Sequence, residues 1–207
     1  MKEHPILFNG EMVRAILDGR KTQTRRVIKP QPAWIEQVGD GEVILYKRRV
    51  DESELNEKDE IFCPYGQPGN HLWVRETWAK NIAGCPDGIS YRADHIDPHG
   101  DGPANPMKWT PSIHMPRWAS RITLEVVSVR VELVNEISEE DAEAEGIEWQ
   151  ANEYGVYQWK IPGDKDGWFD YVEDAFSWIW DSINAKRGYG WDANPFVWVI
   201  SFKKVEV

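Results

Sequence analysis

The chain has 207 residues, a hydrophobic content of 41% and a formal net charge of −11. This length fits one domain with insertions, and the apolar content is enough for a hydrophobic core. Charged residues of both signs make up 29% of the chain, which excludes wholesale disorder, and no stretch reaches the roughly 20 apolar residues that cross a bilayer. The N-terminus lacks the apolar segment of a signal peptide, so we expect a cytoplasmic protein without a membrane partner.

The spacing of apolar residues predicts the ordered elements, and clusters of Gly, Pro, Asn and Asp predict where they end. The predicted strands lie, in chain order, at residues 6–8, 22–28, 43–46, 71–78, 89–92, 121–134 and 196–205. The predicted helices lie at residues 11–18, 139–145 and 169–186. Many strands with a few short helices predict an α+β fold with a small, curved or closed sheet.

The strongest strand signal contains a change of phase. Ile122, Leu124 and Val126 alternate with polar residues, and Val127 and the valines after it alternate in the opposite phase. Because side chains of a strand point alternately to its two faces, the slip predicts a bulge or a bend between Val126 and Val127.

Three polar segments interrupt this pattern, at about residues 33–68, 79–116 and 148–168. We interpret residues 1–207 as a single domain in which these segments are insertions. The third is rich in Trp and Gly and is interpreted as a loop. The second, at residues 79–116, is rich in Gly, Pro, Asp and His and is interpreted as a long loop, and loops of that length in a compact domain are usually functional or mobile.

Residues 19–26, Gly-Arg-Lys-Thr-Gln-Thr-Arg-Arg, are the most informative run of the chain. The first thirty residues hold seven basic and three acidic side chains, a balance of +4, and the rest of the chain carries −15. A cationic island in an acidic protein predicts a place where a phosphate or another anionic group is held. The alternative is a solvated helix end followed by a polar strand. Lys21 reaches the Thr24 hydroxyl only if the backbone turns between them.

The two cysteines, Cys63 and Cys85, are too few for a disulfide framework and are expected to be free thiols. Together with His95 and His99 they form a candidate zinc site. Their spacing matches no familiar ligand pattern. We therefore predict no metal and no cofactor.

The arrangement resembles the ASCH domain family, whose fold is a PUA-like β-barrel. The family motif Gly-x-Lys-x-x-Glu-x-Arg is matched here by Gly19, Lys21 and Arg26. The glutamate position of the motif holds Thr24. The segments at residues 72–78 and 115–121 are similar to the large, tryptophan-rich ASCH proteins of tailed phages and prophages. The resemblance covers the chain from end to end and implies a PUA-like curved β-barrel with short helices at its corners.

The threonine at position 24 is similar to one branch of that family. Small bacterial ASCH proteins with a Gly-Arg-Lys-Thr-x-Thr run are amidohydrolases that deacetylate N4-acetylcytidine. By this resemblance the catalytic residues are Lys21, Thr24 and Glu145. Thr24 would be the nucleophile and Lys21 its base, because the arginines of the run favour a neutral lysine. Glu145 would orient the lysine or relay protons; the alternative is a solvated helix end.

Five further residues are candidate substrate contacts: Arg26, Arg75, Glu76, Trp78 and Arg117. A guanidinium binds phosphate through two hydrogen bonds and stacks on planar rings, and a tryptophan offers a stacking face. The alternative for each arginine is a surface ion pair, and for the tryptophan a place in the core.

Three functions are compatible with these residues. The first is a hydrolase that removes an acyl group from a modified nucleoside, and the second is non-catalytic binding of RNA or a nucleotide in the same cationic cleft. A ribonuclease is the third, although no histidine pair lies near the motif. The acidic net charge counts against broad contact with a polyanion, so the expected partner is a nucleoside, a nucleotide or an RNA bound through few phosphates. The sequence does not predict the oligomeric state.

Overall fold

The structure is a computed structural model that describes residues 1–38, 42–46, 60–80, 88–95, 108–151, 153–161 and 167–205. Its strands are β1 (Glu3–Leu7), β2 (Gln23–Val27), β3 (Trp34–Val38), β4 (Glu42–Tyr46), β5 (His71–Arg75), β6 (Trp78–Lys80), β7 (Ile89–Tyr91), β8 (Thr123–Leu133), β9 (Glu148–Ala151), β10 (Tyr157–Lys160), β11 (Trp168–Phe169) and β12 (Phe196–Lys204). Its α-helices are α1 (Gly10–Leu17), α2 (Glu139–Ala144) and α3 (Val172–Asn184). The α+β class predicted from the sequence is confirmed. Within these ranges, none of the helices has the length and apolar character needed to span a bilayer.

A five-stranded sheet with the order β1-β5-β8-β12-β2 separates two hydrophobic cores. The strand β12 lies inside this sheet and contributes to both cores. Val197 and Val199 pack in the core that contains α2 and α3. Trp198, Ile200 and Phe202 pack in the other core, which contains α1. The alternation of a strand that lies between two cores thus explains why four consecutive residues, Val197 to Ile200, are all buried.

The two edge strands of this sheet, β1 and β2, line the same cavity. Arg26 on β2 donates a hydrogen bond of 2.7 Å to the carbonyl oxygen of Leu7 on β1. Its guanidinium also lies 5.0 Å from the centroid of the Phe8 ring. The sheet therefore curls until its edges face one another, and this curled sheet is the part of the chain that was expected to form the PUA-like barrel.

The predicted change of phase in β8 is a β-bulge. Phe202 of β12 pairs with Val126 and Ser201 pairs with Ser128, which leaves Val127 as the extra residue. Val127 is exposed, whereas Val126 is buried. The bulge lets valines on both sides of the slip face the core.

The interpretation of residues 148–168 as a loop is wrong where the structure describes them. The strands β9, β10 and β11 form a three-stranded sheet. Trp149 contacts Tyr157 and Trp159 across the strands, with ring centroids 6.2 and 4.9 Å apart. Such cross-strand aromatic pairs stabilise small sheets, and the Gly-rich composition around them conceals the alternation.

The strand predicted at residues 71–78 divides into β5 and β6 at Glu76 and Thr77. β6 leaves the central sheet and pairs with β7. Glu76 is buried and bound by Arg121, with 2.9 Å between Oε1 and Nε. This buried ion pair interrupts the alternation of apolar residues at the point where the chain changes sheets.

Candidate functional site

Lys21 reaches the interior because the chain turns sharply between α1 and β2. Gly19 follows α1 with a φ of 77°, a left-handed conformation that favours glycine. The backbone N–H groups of Arg20 and Lys21 both donate to the carbonyl oxygen of Ala15, at 2.9 and 3.0 Å. The turn ends before β2 starts at Gln23, so Lys21 lies outside the strand.

Lys21 forms a buried ion pair with Glu145, the residue that caps the C-terminal end of α2. The Lys21 side chain is 0% exposed and that of Glu145 is 7% exposed. Nζ donates to Oε2 at 2.6 Å and to the backbone carbonyl oxygen of Glu145 at 2.8 Å. The ammonium group therefore binds both a carboxylate and a carbonyl that a helix end leaves without an intrahelical partner.

Gly146 allows the end of α2 to approach Lys21 this closely. Its φ of 97° is left-handed. A Cβ atom at this position would lie 3.1 Å from Cβ of Ala15 and 3.3 Å from Cβ of Lys21. A larger residue would therefore push the helix end away from Lys21. A second connection is the hydrogen bond of 2.9 Å from the Thr22 N–H to the carbonyl oxygen of Ala144.

Burial lowers the pKa of Lys21 below its ordinary value, and Glu145 opposes this effect through its charge and its hydrogen bond. The charges of Arg26 and Arg25 lower the pKa of Lys21 further. Arg25 and Arg26 thus have the effect expected from the sequence, which is to favour the neutral form of Lys21. Arg20 instead forms ion pairs with two carboxylates of its own.

Arg25 lies on the opposite face of β2 from Thr24 and connects the sheet to α2. Its Nη2 atom binds Glu132 on β8 at 3.0 Å and Asp141 on α2 at 2.6 Å. Arg130 binds the same two carboxylates. Burial raises the pKa of Asp141, but the hydrogen bond and charge of Arg25 outweigh burial and leave this pKa below its ordinary value.

A first cavity, of about 620 Å³, is lined by Thr24 and Glu145 together with residues of α3 and both edge strands. Thr24 is 1% exposed. Lys21 is not among the lining residues in the described part of the chain and contacts the cavity through Glu145. The basic side chains that line it are Arg25, Arg26, Lys29, Arg75 and Arg187. Among described residues Glu145 supplies the single carboxylate of the lining, so the cavity is cationic in an acidic protein.

Within the described residues, four of these cations have no carboxylate partner: Arg26, Lys29, Arg75 and Arg187. Arg75 donates to the carbonyl oxygen of Ile113, and the Lys29 ammonium lies 4.8 Å from the ring centroid of Tyr189. Neither contact neutralises a positive charge. The cavity therefore attracts anionic groups.

Two buried polar atoms at the cavity have unused hydrogen-bonding capacity. Glu145 Oε1 and Arg25 Nη1 lie 3.6 Å apart, and neither makes a hydrogen bond among the residues that the structure describes. Buried polar atoms are normally satisfied, and an exception needs an explanation. An acceptor and a donor side by side fit a ligand that carries both, such as an amide.

Three predicted substrate contacts lie away from the first cavity. Arg117 binds Glu3 on the surface at 2.8 Å. Glu76 binds Arg121, and burial raises the pKa of Glu76. Trp78 is buried in a small separate core. Of the five candidates, the structure brings Arg26 and Arg75 to the first cavity.

One wall of the first cavity was missed by sequence reasoning. It is formed by the α3 residues Phe176, Ile179, Trp180, Ile183 and Asn184. Their spacing was assigned to a helix that packs on the core, and Phe176 and Trp180 do belong to that core. A helical apolar stripe does not distinguish a core face from a cavity wall, because both present the same side chains.

Of the residues considered for zinc, Cys85 and His99 lie outside the described residues. Burial raises the pKa of the Cys63 thiol to about 11. His95 Nε2 lies 2.6 Å from the Ser90 hydroxyl. Among the described ranges, no group of three side chains is placed to hold a metal ion.

No family model matches the chain, and no curated protein matches it. Two solved structures are similar to it over nearly its whole length. A DUF984-family protein from Enterococcus faecalis V583 has a TM-score of 0.42 and 10% identity, with 99% of this chain and 81% of that chain covered. An ASCH domain from Lactobacillus crispatus JV V101 has a TM-score of 0.41 and 13% identity, with 98% and 79% covered. At these TM-scores and identities, neither similarity indicates what reaction or ligand this chain has.

The energetics of the buried pair can be tested with a double-mutant cycle. Lys21→Met and Glu145→Gln should each lower the free energy of unfolding by about 3–5 kcal/mol, because each leaves one buried polar partner unpaired. The double variant should lose at least about 1 kcal/mol less than the sum of the two. Urea unfolding followed by tryptophan fluorescence measures all four proteins.

The same cycle on Arg117 and Glu3, an exposed pair, should show a coupling of at most about 1 kcal/mol. Additive losses at Lys21 and Glu145 would contradict an energetic coupling between the two side chains.

Proposed function

We propose that the protein is a hydrolase that removes an acyl group from the exocyclic amine of a modified nucleoside such as N4-acetylcytidine. The observation that carries this proposal is the buried ion pair of Lys21 and Glu145, 2.6 Å long, beside a cavity lined by both Thr24 and Glu145. The resemblance of the 19–26 run to the ASCH amidohydrolases assigns these three residues a joint role. This role is supported by two observations: Thr24 and Glu145 line one cavity, and Lys21 is bound to Glu145.

In the proposed reaction Thr24 Oγ attacks the carbonyl carbon of the substrate amide, and the neutral amine of Lys21 accepts the hydroxyl proton. The C–N bond then breaks, the proton passes to the leaving nitrogen, and the acyl group remains on Thr24 as an ester. Water attacks this ester in the second step, and its proton returns to Thr24 Oγ by way of Lys21. In sum, one amide and one water give one carboxylic acid and one amine.

Glu145 has two separate tasks in this scheme. Its Oε2 atom holds the Lys21 amine in place, and its unpartnered Oε1 atom accepts the N–H of the substrate amide. Arg26 and Arg75, which line the cavity, contact the planar base or an anionic substituent. Lys21 serves as a base only when neutral, and its lowered pKa increases the neutral fraction.

Replacement of the nucleophile gives the first test. Thr24→Ala should lower kcat/KM for release of cytidine from N4-acetylcytidine by about 10³-fold or more, since the attacking hydroxyl is lost. Thr22→Ala removes the same hydroxyl from an exposed residue two positions earlier and should retain activity. Chromatography of the products measures both variants. Full activity in Thr24→Ala would end the nucleophile role.

The pH dependence of kcat gives a second test. We expect kcat to rise with pH, because the neutral form of Lys21 is the base. The midpoint of this rising limb should lie below the ordinary lysine pKa of 10.5, because the pKa of Lys21 is lowered. Arg26→Met removes a charge that lowers this pKa, so its limb should move to higher pH. Arg26→Lys keeps the charge and should leave the limb where it is. A limb that stays in place in Arg26→Met would contradict the assignment of Lys21.

The cations without carboxylate partners favour a second candidate function, which is non-catalytic binding of a nucleotide or RNA in the first cavity. Lys29, Arg75 and Arg187 supply positive charge that the hydrolysis of an uncharged nucleoside does not need. A phosphate group would use this charge.

Binding measurements separate these possibilities. Arg187→Gln should weaken binding of cytidine 5′-monophosphate about threefold to tenfold, because one charge at the cavity is lost. Lys186→Gln removes the adjacent charge, which does not line the first cavity, and should bind as the parent does. Calorimetric titration at several salt concentrations measures both variants. If an RNA chain is bound, the logarithm of its association constant should fall with the logarithm of the salt concentration, with a slope of about −0.7 for each phosphate that the protein neutralises. Equal weakening by the two variants would count against a phosphate in the cavity.

A further inference from the structure

A second cavity, of about 130 Å³, adjoins the first, and Glu145 lines both. The residues that line both cavities are Asn9, Met12, Glu145, Phe176, Ile179 and Ile183. Because the two cavities share these residues, they are adjacent at Glu145, and a ligand that contacts Glu145 in the first cavity lies beside the second.

The second cavity is lined mostly by apolar side chains. Its other apolar lining residues are Ala15, Ile147, Ile161 and Trp178. Asn9 accepts a hydrogen bond from the backbone of α1, and Glu11 binds an arginine of the same helix. Ser182 Oγ donates to a carbonyl oxygen of α3 at 2.7 Å. Among the buried side-chain polar atoms of the described lining, Oε1 of Glu145 makes no hydrogen bond, and Arg25 Nη1 lies 3.6 Å from it.

We propose that this second cavity, hereafter the acyl cavity, receives the alkyl chain of the substrate's acyl group, so that the enzyme prefers acyl groups of about four to six carbons to acetyl. This inference rests on the proposed hydrolase function. An apolar cavity of roughly 150 Å³ admits a benzene ring. The acyl cavity, at about 130 Å³, therefore has room for a chain of comparable size.

The position of Glu145 supplies the geometric link. In the proposed reaction the carbonyl carbon lies at Thr24 Oγ and the amide N–H lies at Glu145 Oε1. The chain beyond the carbonyl then starts beside Glu145, where the acyl cavity begins. Transfer of one methylene from water to such a lining is worth about a fourfold gain in kcat/KM. An acetyl group has no methylene to place in the acyl cavity, so it does not show this increase in kcat/KM.

The test compares N4-acetylcytidine with N4-pentanoylcytidine on the parent protein and two variants. The parent should show a pentanoyl-to-acetyl ratio of kcat/KM of about ten or more. Ser182→Phe places a ring on the exposed side of α3 that borders the acyl cavity and should reduce this ratio to about one. Ser177→Phe is the matched control, because Ser177 lies on the same helix but lines neither cavity, and it should retain the parent ratio.

Trp178→Ala provides a variant that enlarges the acyl cavity rather than filling it, and it should move the preferred acyl group to a longer chain.

Thermal melting of each variant reports whether it is folded. A parent ratio near one, or the same ratio in Ser182→Phe and Ser177→Phe, would overturn the acyl cavity and leave the hydrolase standing. Release of no carboxylic acid from either substrate would overturn the hydrolase and the acyl cavity together.

Discussion

The buried ion pair of Lys21 and Glu145 is the constraint on which the site depends. Two groups that are 124 residues apart in sequence meet where water is excluded. The cost of removing both charges from water offsets much of their attraction, so the pair contributes little net stability. Its consequence is positional, because the end of α2 is held against the start of β2. Gly146, whose backbone and small size permit this approach, belongs to the same constraint.

The neighbouring arginines of β2 show how one strand serves both the fold and the cavity. Arg25 points to the side of α2, where two carboxylates hold it. Arg26 points to the other side and bridges to the backbone of Leu7 on the opposite edge of the sheet. Arg25 thus fixes α2, which carries Glu145, while Arg26 fixes the width of the gap in which Thr24 lies. The cationic run is consequently part of the framework as well as of the cavity lining.

Local patterns in the sequence predicted what local physics determines. The alternation in β8 predicted its bulge at Val127, and the helix predicted at residues 139–145 is α2, whose start is capped by the Ser138 hydroxyl, which accepts from the Asp141 N–H at 3.2 Å. Contacts between distant residues were out of reach. Without the family resemblance, Glu145 at the end of an acidic helix is interpreted as solvated, since nothing nearby in sequence indicates that Lys21 will meet it. The α3 wall of the first cavity was missed for the same reason. The sequence of a helix shows that it has an apolar face, but not whether that face packs against another element or lines a cavity.

Unsatisfied groups then indicate what the cavity is built to contact. The chain carries a net charge of −11, and many of its surface arginines are neutralised by carboxylates, as Arg117 is by Glu3. The cavity departs from this pattern twice: four of its five cations lack a carboxylate partner among the described residues, and Glu145 keeps one oxygen without a hydrogen bond there. Mutual repulsion of cations and an unmet acceptor both cost free energy in the empty state. A ligand that brings an amide N–H to Glu145 and a polar or anionic group to the arginines relieves both costs at once, whereas a purely apolar ligand relieves neither. Glu145 lines both the cationic and the apolar cavity, so the proposed substrate, a polar ring system joined to an apolar chain through an amide, would contact both.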